Sequence, residues 1–200
     1  WYGEFKPGYE AVSAASTLLT RIGSDSWNMS SLRDAFDRYT QQWFIIDQAY
    51  RQFNRYLDLH EPDSALDTLK TAVETAYIRD FLTPLGQVWR RHVEDMEQWE
   101  INSIPSATSF FTDHVSRPWL DKGKKIVIII SDALRYEVGE ELARRISQED
   151  RFTARLSAML SVLPSYTQLG MAALLPHASL TFTDDGSVEV DGAPSAGTEN

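Results

Sequence analysis

From Phe36 onward the apolar positions of the chain fall on a helical stripe. Phe36, Tyr39, Trp43, Ile46, Tyr50, Phe53 and Leu57 recur at alternating spacings of three and four, which brings them to one face of a long helix. Ser31, three residues ahead of Asp34, reads as its N-cap signal. His60-Glu61-Pro62-Asp63 breaks the pattern, and Leu66, Leu69, Val73, Tyr77, Phe81, Leu85 and Val88 resume it. The region therefore predicts an antiparallel helical hairpin, with a kink where Pro84 and Gly86 interrupt the second helix. A shorter helix over about Tyr9 to Ile22 is expected to pack on the hairpin, ahead of a loop from Gly23 to Ser30. Aromatic stripes that face each other are what a helix–helix core requires, which weighs against reading them as stacking platforms for bases or a cofactor.

At Lys125 the pattern changes. Ile126-Val127-Ile128-Ile129-Ile130 is a continuous apolar run between Lys124-Lys125 and Ser131-Asp132, as expected of a buried parallel strand. Leu134, Val138, Leu142 and Ile146 then recur every four residues on a helical face. Ala154, Leu156, Ala158, Leu160 and Val162 alternate as one side of a strand, and a short apolar helix over about Gln168 to Leu175 follows the turn at Pro164-Ser165-Tyr166-Thr167. The order strand, helix, strand, helix implies an α/β domain with a parallel sheet. Leu180–Phe182 and Val188–Val190 bracket Thr183-Asp184-Asp185-Gly186-Ser187, the pattern of a hairpin, and Asp191 to Asn200 reads as a polar loop. The fold class is thus α/β: an aromatic-rich helical part over residues 1–119, then the start of a parallel-sheet domain over 120–200. All six Trp residues precede Leu120, in keeping with that division.

Composition narrows the chemistry. With 19 basic and 29 acidic residues the formal charge is −10, and residues 1–119 (11 against 17) and 120–200 (8 against 12) are both acidic. Binding a nucleic acid by bulk charge is disfavoured, so any polyanion must be met by a local site. The chain has no cysteine, which removes disulfides, thiolate nucleophiles and Cys-ligated zinc and leaves oxygen or imidazole ligands for any metal. No apolar run approaches the roughly 20 residues of a membrane span and no signal-peptide pattern opens the chain, so the expectation is a soluble cytoplasmic protein. A first residue other than Met and the end at Gly197-Thr198-Glu199-Asn200 suggest a segment cut from a longer protein.

Two positions stand where chemistry collects in open α/β sheets, at the carboxyl ends of the strands. Asp132 follows the first run directly. An uncompensated carboxylate at the end of a buried strand is costly, and either a divalent cation or the N-terminus of the next helix would compensate it. Thr167 holds the comparable place after the second run, where its hydroxyl could cap the following helix or act as a metal-activated nucleophile. Together they form an Asp and a Thr at the mouth of adjacent strands.

The strings Lys125-Ile126-Val127-Ile128-Ile129-Ile130-Ser131-Asp132-Ala133-Leu134-Arg135-Tyr136-Glu137-Val138 and Leu160-Ser161-Val162-Leu163-Pro164-Ser165-Tyr166-Thr167-Gln168-Leu169-Gly170-Met171 resemble the PglZ family of the bacterial BREX anti-phage defence systems, a branch of the alkaline phosphatase superfamily. The likeness runs through most of the chain from about Ser30. It implies an alkaline-phosphatase-like parallel-sheet domain, truncated here, and a metal-dependent phosphoric-ester hydrolase. Asp132 matches the superfamily's first metal-ligand aspartate, and Thr167 the nucleophile of its phosphodiesterase-type members, itself in contact with metal. The implied cofactors are two divalent ions, Zn or Mn, about 4 Å apart, in a site completed by residues outside this chain. The implied partners are other defence-system proteins and a phosphoester substrate, nucleic acid among the candidates, with no membrane. The segment alone is expected to be inactive, and the rival reading is a non-catalytic interaction scaffold of the defence complex.

Other candidates have ordinary explanations. Arg135 suits an oxyanion but is read as solvated or salt-bridged, and Glu137 as complementing a helix N-terminus. Ser131 and Ser165 are read as satisfying backbone groups. Asp184 and Asp185 are read as turn residues. His177 carries no carboxylate at ligand spacing, and His60, His92 and His114 lie far from the site in sequence.

Overall fold

Ser31 opens the first long helical path as its context predicts. Its hydroxyl accepts the Asp34 N–H at 3.1 Å, while the Asp34 carboxylate reaches back to the Ser30 N–H at 2.9 Å, a reciprocal cap that satisfies two otherwise unpaired donors. The structure is a computed structural model that describes residues 2–60, 64–183 and 186–195. The path runs through α2 (Leu32–Arg38), a wide π-helical turn (Tyr39–Trp43) and α3 (Phe44–Asp58). It is preceded by α1 (Tyr2–Ser24), which is longer than its apolar pattern predicts and contains Pro7. The second arm consists of α4 (Ser64–Thr75), a π-helical stretch (Ala76–Leu82) and α5 (Thr83–Glu94). Glu61, Pro62 and Asp63, the centre of the expected break, lie outside the described residues. Pro84 sits in the first turn of α5, directly after the π-helical stretch, and the Asp80 carbonyl four residues before it accepts the Trp27 indole N–H instead. The widened turns just before it take up the interruption that the sequence foretold as a kink.

The chain divides into two compact units. The first comprises Trp1–Met96 with Tyr136–Ala154, a different partition from the compositional one because spatial packing returns a later helix to the early ones. Its core joins the hairpin stripes to α1. Trp43, Ile46, Phe53, Val73 and Phe81 are buried against Ala11, Ala14, Ala15 and Leu18, the small residues letting the helices approach closely. Trp27 closes one end, edge-on to Trp43 at 5.7 Å and to Phe81 at 5.0 Å, with its indole N–H donated to the Asp80 carbonyl. Asp47 is buried among these rings, its carboxylate accepting from the hydroxyls of Tyr39 and Tyr77, and Tyr77 stacks on Tyr50 at 3.8 Å. The two π-helical stretches are thereby tied to one carboxylate.

The helix expected over Leu134–Ile146 is α6 (Tyr136–Ser147), and its orientation corrects the sequence reading. The buried face carries Glu137 (0% exposed) and Glu141 (7%), while Leu142 is 51% exposed. The reason is Arg51 on α3, whose guanidinium bonds both carboxylates, Glu137 at 2.8 Å and Glu141 at 2.5 Å. Gln48 donates to the Glu137 carbonyl and to the Glu140 carboxylate, and Arg145 closes on Glu141 from within α6. Tyr136 adds a hydroxyl bond to the Thr40 carbonyl.

The second unit comprises Glu97–Arg135 with Arg155–Asn200. The expected parallel sheet is not formed among its described residues. Ile126–Ile130 is assigned to no strand, and Val127 and Ile129 are 86% and 88% exposed. A strand buried on both faces needs neighbours on both edges, and no described segment supplies them. At the end of the second run Leu160 and Val162 are buried and Ser161 exposed, but Leu156, expected on the same side, is exposed, and among the described residues the run pairs through one parallel bridge, Ser106 with Leu160. The sheet present is antiparallel: β1 (Leu180–Phe182), β2 (Val188–Val190) and β3 (Ala193–Pro194), in that order. The predicted hairpin pairs Leu180 with Val190 and Phe182 with Val188. Its turn residues Asp184 and Asp185 fall outside the described residues. The β2–β3 connection is Asp191-Gly192, both at positive φ (53° and 79°), the two-residue turn whose twist suits a hairpin. This third strand lies in the stretch read as loop. Helix α7 (Thr167–Leu174) packs against β2 and the 3₁₀ turn Ala107–Ser109, around Ala107, Val162, Leu169, Ala173 and Val188.

Candidate functional site

Asp132 lies in the turn that ends the Ile126–Ile130 run, and Thr167 is the first residue of α7. The fold brings the two together. The Thr167 hydroxyl donates to Oδ2 of Asp132 at 3.1 Å, while Oδ1 accepts the N–H of Ala133 at 2.9 Å. Both side chains are exposed. The carboxylate therefore does not cap α6, the alternative that spacing allowed, because that helix begins only at Tyr136. Ala133 is held at φ +54°, a left-handed conformation that costs a non-glycine residue about 1–2 kcal/mol. Strain of this kind clusters at functional sites, and no feature of the sequence announces it.

Thr167 does not cap its helix through its side chain either. The N-cap position is Tyr166, and the first backbone bond of α7 runs from the Gly170 N–H to the Tyr166 carbonyl at 3.0 Å. The N–H groups of Thr167, Gln168 and Leu169 precede that ladder, a polarity that favours an anion. The Leu163–Pro164 peptide just upstream is cis, and Gln168 is tied to Ser195.

The oxygen pair also suits a divalent cation. Two oxygens about 2.0–2.1 Å from one ion, at tetrahedral or octahedral angles, are separated by about 2.9–3.4 Å, and Thr167 Oγ1 and Asp132 Oδ2 are 3.1 Å apart. They could supply two donors of a coordination shell. No group of three or more His, Asp or Glu residues able to hold a metal is found among the described residues. His177 bonds the Leu175 carbonyl, His92 the Met29 carbonyl, and His114 lies against Phe110. Ser131, Ser165 and Arg135 are exposed. Glu137, read from sequence as serving the helix terminus, is instead committed to Arg51.

Known proteins resemble this chain in the segment that holds the pair. Residues 110–200 match the family described as BREX system PglZ alkaline phosphatase-like domain. The chain is 38% identical to the alkaline phosphatase-like protein BrxZ of Escherichia coli O9:H4 (strain HS) over 98% of its length, and 35% identical to the alkaline phosphatase-like protein PglZ of Bacillus cereus (strain H3081.97) over all of it. Residues 110–200 thus match a PglZ-type domain, and the chain along its length is similar to PglZ-domain proteins. The chain spans about a quarter of the length of these curated relatives, 24% of each. The PglZ match takes in the Asp132 turn and the whole of α7, so both candidate residues lie inside the matched segment. No solved structure matches the chain. No helix among the described residues is long and apolar enough to cross a membrane.

Proposed function

We propose that this chain contributes the nucleophile, Thr167, and a metal-ligand carboxylate, Asp132, to a phosphoester hydrolase that works with other proteins of a BREX-type anti-phage defence system in the cytoplasm. The observation that carries the reading is the 3.1 Å contact between the Thr167 hydroxyl and the Asp132 carboxylate, made by residues 35 positions apart at the ends of two separate segments. Divalent ions, when bound, would lower the pKa of that hydroxyl and neutralise the phosphoryl oxygens. The remaining steps belong to the chain itself. Thr167 Oγ1 forms a bond to phosphorus as the bond to the leaving oxygen breaks, and the proton that Oγ1 gives up ends on that oxygen, which departs as the alcohol. The backbone N–H groups of Gln168 and Leu169, ahead of the α7 ladder, hold a non-bridging oxygen. Water then hydrolyses the phosphothreonine and regenerates the hydroxyl.

A phosphodiester is the favoured substrate class, since the Pro164-Ser165-Tyr166-Thr167 string resembles that of the diesterase-type members. Nucleic acid is one such substrate, reached through the local site, because the net charge of −10 opposes bulk attraction. The remaining metal ligands come from outside residues 1–200, so this chain alone is inactive. Ile126–Ile130 and Ala154–Val162 become adjacent parallel strands once flanking strands are supplied, in a domain starting near residue 120 after a helical region.

The test is hydrolysis of a chromogenic phosphodiester and its matching monoester by the full-length protein, with manganese, zinc or a chelator. Metal-dependent turnover that disappears in both Thr167→Ala and Asp132→Ala supports the hydrolase. Folded, metal-loaded protein without turnover, alone and together with the other defence proteins, would leave the scaffold reading.

A further inference from the structure

The helical unit holds a second candidate site, remote in sequence from Asp132 and Thr167. A cavity of about 320 Å³ opens between α2 and α5, walled by Phe36, Tyr39, Trp43, Leu82, Leu85 and Trp89. Its volume falls at the lower end of the roughly 300–1,000 Å³ typical of small-ligand pockets. No wall residue carries a charge, and the Tyr39 hydroxyl is already bonded to Asp47. We propose that this cavity binds an uncharged aromatic molecule of one or two fused rings.

Three features point to this class of ligand. Three of the walls, Phe36, Tyr39 and Trp89, are partly exposed aromatic rings, which accept another ring edge-on or offset, as Trp27, Trp43 and Phe81 already do among themselves. A charged ligand would lose its hydration without a partner. The walls also draw on both π-helical stretches, with Tyr39 and Trp43 from one and Leu82 from the other, and widened turns of this kind recur at functional sites. Gly86 is the third feature. It lies at the cavity mouth inside α5, has no positive φ, and a Cβ built there meets nothing within 4 Å. A mid-helix glycine is unfavourable relative to alanine, and neither backbone conformation nor close packing demands one here. An open mouth does.

The probe is 5-fluoroindole, followed by 19F line broadening as the full chain is titrated into it, with indole-3-acetate as the charged comparison. Expected is saturable binding of 5-fluoroindole, at least about tenfold weaker for indole-3-acetate. Two variants fill the space from opposite sides: Gly86→Trp at the mouth and Ala35→Leu at the floor. Each should weaken binding of 5-fluoroindole at least about tenfold while far-UV circular dichroism and the thermal midpoint without ligand stay near the parent values. Gly86→Ala, which adds only one methyl group, should bind as the parent does. Absence of saturable binding to the parent, or parent-like binding by both filled variants, overturns the proposal.

Discussion

Asp132 and Thr167 are exposed and bonded to each other, so their replacement should separate chemistry from folding. Asp132→Asn keeps an acceptor for the Thr167 hydroxyl and removes the charge that a cation needs. We expect it to change unfolding free energy by no more than about 0.5 kcal/mol, as at other surface positions, while lowering phosphoester turnover of the full-length protein by roughly a thousandfold or more. Thr167→Ser should retain measurable turnover where Thr167→Ala does not. Urea unfolding alongside the turnover assay checks both, and a large loss of stability in Asp132→Asn would show that the contact is structural. Asp47 is the opposite case. It is buried, and two phenols depend on it, so Asp47→Ala should lower stability by about 2–4 kcal/mol in urea unfolding without altering that chemistry. As candidates, Asp132 and Thr167 were legible because each stands where one hydrophobic period ends and another begins. The strained Ala133 was not, since alanine carries no sign of the backbone around it.

At the level of elements, the hairpin stripes and the β1–β2 pairing follow from their periodicities, because each buries one regular face. The orientation of α6 does not. Its apolar positions, Val138, Leu142 and Ile146, repeat every four residues, yet its glutamates repeat at the same spacing one position earlier. Arg51, far away in the chain, decides which face turns inward. A pattern confined to one helix cannot contain that information. Arg51→Met leaves Glu137 and Glu141 without their principal cation, and urea unfolding should register a loss of about 3–5 kcal/mol. Adding Glu137→Leu and Glu141→Leu should restore most of it, because a buried pair replaced by apolar groups is often neutral. The π-helical turns were illegible for another reason. An inserted residue shifts the stripe by a fraction of a turn, which the three-and-four spacing absorbs.

For the whole molecule, the acid limb of stability follows from the same network. Burial pushes the Glu141 carboxyl up, but hydrogen bonds from Arg51, Gln52 and Arg145 outweigh it and hold its pKa at about 2, below the ordinary 4.5. The Arg51 guanidinium is raised, chiefly by its bond to Glu137. With the folded pKa below the unfolded one, the stabilisation is complete above pH 4.5 and is lost as pH falls from there toward 2. It amounts to about 3 kcal/mol, and urea midpoints in Glu141→Gln should show a correspondingly flatter acid limb. The bare Ile126–Ile130 run sets the solution behaviour. Extended apolar chain without neighbours pairs with its like, so light scattering should detect self-association that Val127→Lys with Ile129→Lys removes. The parallel sheet was expected from the order of strand and helix patterns and from the resemblance, but an apolar run states what a segment would bury and not whether its neighbours are at hand. The ion cluster of Arg51, Glu137 and Glu141 also bears on inheritance. A recombination crossover between positions 51 and 137 would part a lock from its key, and a chimera joining two relatives there should fold only when both parents carry compatible charges at these three positions.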